Sequence, residues 1–575
     1  MDKKSVASAL EEIAACLELK GEDRFRVRAY ETAARAIAGY EGDLREALHT
    51  GELAQLKGIG PATLEVVSEV LKTGRSRTLQ TLRDQVPSGL VEMLQISGLG
   101  VAKVRQIHET LLIDSLDELE EAARNGTLSK LPRFGPKTAE KILKGIQFVR
   151  QVREFRLLHH ARQEAAALAG VLEGMPGVTR VATAGSVRRG REVIRDLDFV
   201  VALEGKPSAL VERLGTAPGV REFVHESDRV LTLRFAGGTV ADVYWTSERG
   251  FGYQLLRATG NDDHLASLKV RAEEQGLTWG DCDLSREGEI VSTPSEEDIY
   301  HAVGLPFIVP ELREGKGEVE TAAAGRLPQL IETADIRGFL HCHSNYSDGR
   351  STVREWAEAC QLEGYEYLGI TDHSLAAAYA GGITLDQICE QHAEIDAVNQ
   401  ELADLRVLKG VEADILTDGS LDYTPQVRAS FDFIIASVHS TFGMTERKMT
   451  ERILKAMDDP SMAILGHPTG RLLLSRDPYP LDLGAVFTKA ADCGIAVEIN
   501  ADPQRLDLDW QVVRQAAELG VTISIGADAH SVAALSNMEL GVTVARKGWL
   551  TKGQVINSRP LEGFLEYVER RRSRN

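Results

Sequence analysis

Asp196 and Asp198 stand one residue apart in the apolar run DLDFVV, so strand alternation places both carboxylates on one face. Two like charges so placed repel, and a divalent cation between them relieves the repulsion. Oxygen-only ligands on a rigid strand suit Mg²⁺ or Mn²⁺ bridging to a substrate phosphate. Asp242, in the next strand-like run TLRFAGGTVADVYW, offers a third acid. Just upstream, in AGSVRRGREVIRD, Gly185 and Ser186 present backbone N–H groups and a hydroxyl to a phosphate, with Arg188 and Arg189 as charge-assisted donors beside them. A DxD by itself is usually a solvated strand or turn. With GS-x-RR ahead of it and a further strand Asp behind, the combination reads as two-metal nucleotidyl transfer.

A second constellation is spread over the last two hundred residues. FLHCHSNYSDG carries His341, His343 and Asp348; TDHS carries Asp372 and His373; VEAD carries Glu412; SVHS carries His439; LGHP carries His467; IGADAH carries Asp528 and His530. The run IAVEINAD adds Glu498 and Asn500. Each follows a β-like apolar run, and the runs alternate with helical patterns, the rhythm of a barrel of parallel strands. In such a barrel the C-terminal strand ends face one another and converge on one site. One buried His is commonly a satisfied core residue; successive strands each ending in His or acid read as a metal centre. Mixed imidazole and carboxylate ligands suit Zn²⁺, Mn²⁺ or Fe²⁺.

The N-terminal region is helical by pattern and repeats a small motif: LKGIGPATLEVV, ISGLGVAKVRQI and LPRFGPKTAEKIL. Each is an apolar residue, a glycine-bearing hairpin and a new helix, the pattern of helix-hairpin-helix elements. Their glycines (Gly58 and Gly60, Gly98 and Gly100, Gly135) let the backbone turn, and free N–H groups at the following helix start can hold a DNA phosphate without reading sequence, assisted by Lys103 and Lys137. Arg75 and Arg77 could reach a 5′-phosphate.

The whole chain must position these groups. Its 575 residues require several domains, and 43% hydrophobic content is ample for their cores. No run of about 18 apolar residues and no signal-peptide core is present, so a cytoplasmic protein without membrane contact is expected. Six cysteines without a CxxC indicate neither a disulfide framework nor a thiolate zinc site. The net charge of −20 lowers non-specific affinity for nucleic acid, but it averages over domains and leaves local phosphate contacts open.

GSVRR…DLD with Asp242 resembles the palm of family X DNA polymerases, and HCH…SDG, TDH, E, H, GHP and GADAH resemble the PHP (polymerase and histidinol phosphatase) domain that a bacterial and archaeal branch of that family carries at its C-terminus. The resemblance implies a multidomain fold: all-α helix-hairpin-helix domains, an α+β nucleotidyltransferase palm and thumb, and a distorted β/α barrel. The boundaries read as 1–82 and 83–155 for two helical domains, 156–250 for the palm, 251–316 for the thumb, 317–334 for an exposed linker and 335–575 for the PHP domain. It implies that Asp196, Asp198 and Asp242 hold the catalytic metals, and that Gly185, Ser186, Arg189, Thr259 and Gly260 hold the nucleotide. In the barrel it implies three metal sites: His341, His343, Glu412 and Asp528; Glu412 shared with His439 and His467; and Asp348, His373 and His530. The expected partners are gapped or nicked DNA and dNTPs, bound by a monomer.

The chain also departs from that family. Arg257 and Ala258 precede Thr259 where an aromatic pair is usual, Leu265 replaces an Asn at the nascent base pair, and Arg195 replaces a glycine in the phosphate loop. Val66 stands at the place of the lysine that forms the 5′-deoxyribose phosphate lyase Schiff base in animal relatives, and no lysine lies between Lys57 and Lys72. The resulting expectation is a repair polymerase, as in base excision repair, that fills short gaps and trims 3′ ends by PHP phosphoester hydrolysis. The rival readings are a 3′-end-cleaning phosphodiesterase or abasic-site endonuclease whose polymerase core serves as a DNA clamp, and a polymerase in which the PHP metals are a structural staple.

Overall fold

The computed structural model describes residues 3–40, 44–73, 76–83, 85–96, 98–215, 220–227, 229–235, 238–402 and 404–573. The chain divides into two units, 1–154 and 155–575. Arg75 lies outside the described residues.

In the first unit the three repeats form the same turn. Gly58 (φ +102°) precedes the helix Pro61–Thr73, and Gly98 (φ +86°) precedes Val101–Leu111. In the third repeat Arg133 takes that position with φ +73°, ahead of Pro136–Glu154. The turn therefore survives a residue that disfavours it, because the middle residue of the hairpin is anchored: Leu99 and Phe134 are buried in the helical core. Proline at the start of the first and third helices removes an N–H that would have no helical partner. One apolar cluster runs from Val6 to Val149.

The second unit begins with a five-stranded sheet in the order Val178–Thr183, Asp196–Leu203, Val240–Thr246, Val230–Phe235, Val220–Glu226. Only the Asp196 and Val240 strands pair in parallel. The helix Leu158–Glu173 packs Leu158, Ala161, Ala165, Leu168 and Leu172 into the cluster that receives Leu197, Phe199 and Val201. The helix Phe251–Thr259 covers the other face, where Val200 and Ala202 meet Phe251 and Leu255. The strand is thus buried on both faces from Phe199 onward, which accounts for its continuous apolar run.

Seven parallel strands close the barrel in chain order: Gly338–Cys342, Tyr367–Ile370, Arg406–Asp414, Phe433–Ser437, Met462–Leu465, Ala496–Asn500 and Ile523–Ala529. Helices between them cover the outer strand face and the strands' own side chains fill the interior, hence the uninterrupted Val/Ile/Leu/Ala content. One buried cluster joins residues of the five-stranded sheet, such as Leu233, to those of the barrel, such as Ile523. No helix among the described residues is long and apolar enough to cross a membrane.

The stretch expected to be an exposed linker is packed. Within 317–334 Glu318 is buried, Val319 and Ala322 join a core with Tyr300 and Leu268, and Ile331 is hydrogen-bonded to the Leu550 carbonyl at 2.9 Å; Arg313 and Glu314, just before it, are buried too. The charges that looked solvated are paired with partners distant in sequence: Arg313 with Glu296, Glu314 with Lys547, Glu318 with His264.

Candidate active sites

The parallel register sets Asp198 directly opposite Asp242, with Asp196 two residues before it on the same face. Gly185, at φ +59°, lies under this group so closely that a Cβ would stand 1.7 Å from Asp198 Oδ2. Burial first, then Asp196 and Asp242, push the Asp198 carboxyl up to about 7, with Arg189 opposing. Thr232, on the neighbouring strand, donates to Asp242 Oδ1 at 2.5 Å. Ser186 Oγ is buried without a hydrogen-bond partner. Three crowded carboxylates and an unpaired hydroxyl fit oxygen-seeking divalent ions.

The two arginines of the loop are engaged. Arg188 pairs with both oxygens of Glu296 at 2.8 and 2.6 Å and donates to Thr259 Oγ1 at 2.9 Å. Glu296 also takes Arg313 at 2.5 Å, so one carboxylate is shared by two guanidinium groups. Arg189 donates through Nη1 to the Thr259 carbonyl at 2.6 Å and through Nε to Glu314 at 3.2 Å. Thr259 is therefore a partner of both arginines, and Gly260 follows it against Leu265, whose Cδ2 is 2.9 Å from a Cβ built there. Arg257 bonds the Gly280 carbonyl at 3.1 Å and the carbonyl of Asp281.

At the barrel mouth all nine expected ligands meet. Three groups each bring their ligand atoms within 4.8 Å of one another: His341, His343 and Asp528; His373, Glu412 and His439; and His343, Asp348, His373 and His530. Glu412 is central. Its Oε1 lies 2.9 Å from His467 Nε2, 3.2 Å from His439 Nε2 and 3.4 Å from His341 Nε2, and its Oε2 lies 3.0 Å from His373 Nδ1. His467 thus joins His439 on Glu412 as expected, whereas His373 bridges the Glu412 and Asp348 groups rather than serving the latter alone. The strand Gly338–Cys342 shifts register between Leu340 and Cys342, and His341 and Asp528 both take positive φ (+63° and +47°) at this bulge. Backbone held in this sparsely populated region marks a site that the surrounding barrel over-determines.

Carboxylates and a carbonyl fix the outer nitrogens of these rings. His341 Nδ1 is 2.5 Å from Glu498 Oε1, His439 Nδ1 is 2.6 Å from Asp414 Oδ1, and His530 Nδ1 is 2.9 Å from the Asp528 carbonyl. His341 Nε2 and Glu412 Oε2 are buried with no hydrogen-bond partner. An oriented ring whose inner nitrogen lacks a partner, beside a buried carboxylate oxygen in the same condition, fits a metal centre. Burial and the neighbouring His373 and His530 hold His343 at about 3, fully neutral, while Glu412 and Asp414 overcome burial and raise His439 to about 9. Arg505 Nε lies 3.2 Å from Asp528 Oδ2. Thr232, Asp414 and Arg505 were not singled out in the sequence. Asp414 had a signal, since it follows Glu412 by two residues on one strand face.

Among the DNA-contact candidates, Gly58, Gly60, Gly98, Gly100 and Gly135 form the hairpins and Lys137 is exposed. Lys103 folds back to the Gly98 carbonyl at 2.7 Å. Val66 is 1% exposed, a core residue of the helical unit.

Residues 1–76 match the Helix-hairpin-helix domain, 90–147 the SAM-like Helix-hairpin-helix tandem, 254–314 the DNA polymerase beta thumb and 340–500 the PHP domain. Those matches, with the two carboxylate-rich sites, define the class: a DNA-binding polymerase fused to a PHP barrel. Over 574 residues, 99% of this chain and 100% of the relative, the sequence is 37% identical to the DNA polymerase/3′-5′ exonuclease PolX of Bacillus subtilis (strain 168). Shorter relatives include probable phosphatases of Clostridium acetobutylicum (29% identical; 35% of this chain, 81% of the relative) and Thermoanaerobacter sp. strain X514 (26% identical; 36% and 84%). The chain belongs to the PolX group of family X DNA polymerases with a C-terminal PHP domain. It is a DNA polymerase and 3′-5′ exonuclease homologue that binds DNA and uses divalent metals.

Proposed function

We propose that the chain fills short gaps in nicked or gapped DNA during base excision repair, acting as a cytoplasmic monomer, and processes 3′ ends with its barrel. The observation that carries the polymerase reading is the register of Asp198 against Asp242 over Gly185, with Asp196 on the same face. Asp196 and Asp198 would hold Mg²⁺ or Mn²⁺ with Asp242, and the nine barrel ligands would hold up to three Zn²⁺, Mn²⁺ or Fe²⁺ ions. Bound there, divalent ions supply charge that stabilises the phosphoryl transition state and ease deprotonation of the attacking hydroxyl or water.

The chain's own groups do the rest. Gly185 and Ser186 offer donors to the triphosphate, and Arg189, positioned by Thr259 and Glu314, adds a charge where negative charge builds on the leaving pyrophosphate. Asp242, held by Thr232, stands where a carboxylate favours loss of the primer 3′-hydroxyl proton. In the barrel Glu498 and Asp414 aim His341 and His439 inward. The helix-hairpin-helix turns would hold the DNA backbone on either side of the gap.

The test is a 5′-labelled primer bordering a one-nucleotide gap, incubated with Mn²⁺ with and without dNTPs. Extension by one nucleotide with dNTPs and a descending ladder without them are expected. A descending ladder under both conditions would favour the end-cleaning reading, with the polymerase core as a clamp.

A further inference from the structure

The turn of Arg189 and Gly190, which ends the short helix Gly185–Arg188, rests on a helix of the barrel, Met538–Lys547. Gly190 has no room for a side chain against that helix, since a Cβ would meet Thr543 Cγ2 at 2.4 Å. Lys547, with no exposed surface, ends the helix and reaches into the loop. Its Nζ donates to the Arg189 carbonyl at 2.9 Å and to Glu314 Oε1 at 2.7 Å, and lies 3.4 Å from the Glu311 carbonyl. Glu314 also accepts from Arg189 Nε at 3.2 Å and lies 3.5 Å from Arg191 Nη1. Two residues beyond Gly190, Glu192 takes Arg471 of the barrel at 2.8 Å.

A buried ammonium is costly unless it is paired and hydrogen-bonded, and this one is both. Trp510 covers it, with the ring centroid 4.9 Å from Nζ. The amine holds Arg189 twice: directly through the main-chain carbonyl, and through Glu314 at the guanidinium. Lys547 stands apart from the nine barrel ligands, so exonuclease chemistry does not explain it.

We propose that Lys547 is a positioning residue of the polymerase site, contributed by the exonuclease barrel, that fixes the main chain and the guanidinium of Arg189 for the triphosphate of the incoming nucleotide. The inference rests on the reading of the 185–189 loop as the triphosphate site. Losing a charge-assisted donor to that loop weakens nucleotide binding more than it slows the chemical step.

The experiment measures KM for dNTP and kcat in single-nucleotide gap filling, and exonuclease rate on single-stranded DNA, for full-length Lys547→Met, Lys547→Arg and Ser186→Ala. Lys547→Met is expected to raise KM by about tenfold or more, as loss of a hydrogen bond to a charged group does, with a smaller change in kcat and the exonuclease rate retained. Lys547→Arg is expected to restore most of the KM. Should Lys547→Met prove unstable because Glu314 is left unpaired, the double variant Glu314→Gln with Lys547→Met removes both buried charges and must show the same KM rise. An unchanged KM in Lys547→Met beside a raised KM in Ser186→Ala overturns the inference alone. Unchanged KM in both overturns the reading of the loop with it. Parallel loss of extension and exonuclease activity in the single and double variants would make Lys547 merely structural and overturn the inference too.

Discussion

Gly185 packs so closely on Asp198 that an added Cβ would stand 1.7 Å from the carboxylate oxygen. The contact is with a carboxylate proposed to hold metal, and the backbone there has φ +59°, which a β-carbon disfavours. Gly185→Ala is therefore expected to displace Asp198 and lower primer extension by about 100-fold or more, the cost of an ångström-scale misplacement. The exonuclease rate should not change. Primer extension and degradation of one labelled substrate check both.

Burial, then Asp196 and Asp242, push the Asp198 carboxyl up to about 7 in the folded, metal-free chain, from an ordinary 3.8. A carboxyl raised in this way keeps its proton in the folded state where the unfolded chain has lost it. Stability should then fall as pH rises between about 4 and about 7 and level off above. In EDTA-treated protein, Asp198→Asn is expected to melt higher than wild type at about pH 8, with the gap closing as the pH is lowered towards 4. A gap that stays constant with pH would contradict the assigned titration.

Glu498 orients His341 without belonging to the nine proposed ligands. Glu498→Gln keeps the shape but weakens the hold on Nδ1 at its 2.5 Å contact. By analogy with other carboxylate–histidine–metal pairs, exonuclease rate or metal content should drop about 10–100-fold. Gap filling should be unaffected. Metal analysis after dialysis, alongside the two activity assays, is the check.

Glu296 is shared by Arg188 and Arg313, and their pull overcomes burial to hold its pKa below the ordinary 4.5. Glu296→Ala leaves two guanidinium groups without that carboxylate and should cost about 3–5 kcal/mol in denaturant unfolding. In the wild type, the contribution of this pairing is present above the ordinary carboxylate pKa and is lost as pH falls through the depressed value, so the two proteins should converge in acid.

Much of this was legible in the sequence. Period-two alternation put Asp196 and Asp198 on one face, and strand ends rich in His and acid announced a barrel site, because those features depend on local geometry alone. The partners of Arg188, Arg189 and the 313–318 segment were not legible. Charges there looked solvated, yet Glu296, Lys547 and His264 meet them from elements as much as 358 residues away, and only the folded packing supplies those contacts. The third hairpin likewise keeps its turn with Arg133 where the other two carry Gly58 and Gly98. Thr232 gave no signal, since a threonine on a strand is ordinary until its neighbour across the sheet is known to be Asp242.

The central claim is that one chain carries two chemically separate sites, one built on Asp198 and the other on His343. The direct measurement compares Asp198→Asn and His343→Ala with wild type on a 5′-labelled gapped primer in Mn²⁺, with melting temperatures recorded for all three. Asp198→Asn is expected to degrade the primer without extending it, and His343→Ala to extend it without degrading it. Loss of both activities from either substitution, at an unchanged melting temperature, would contradict the central claim.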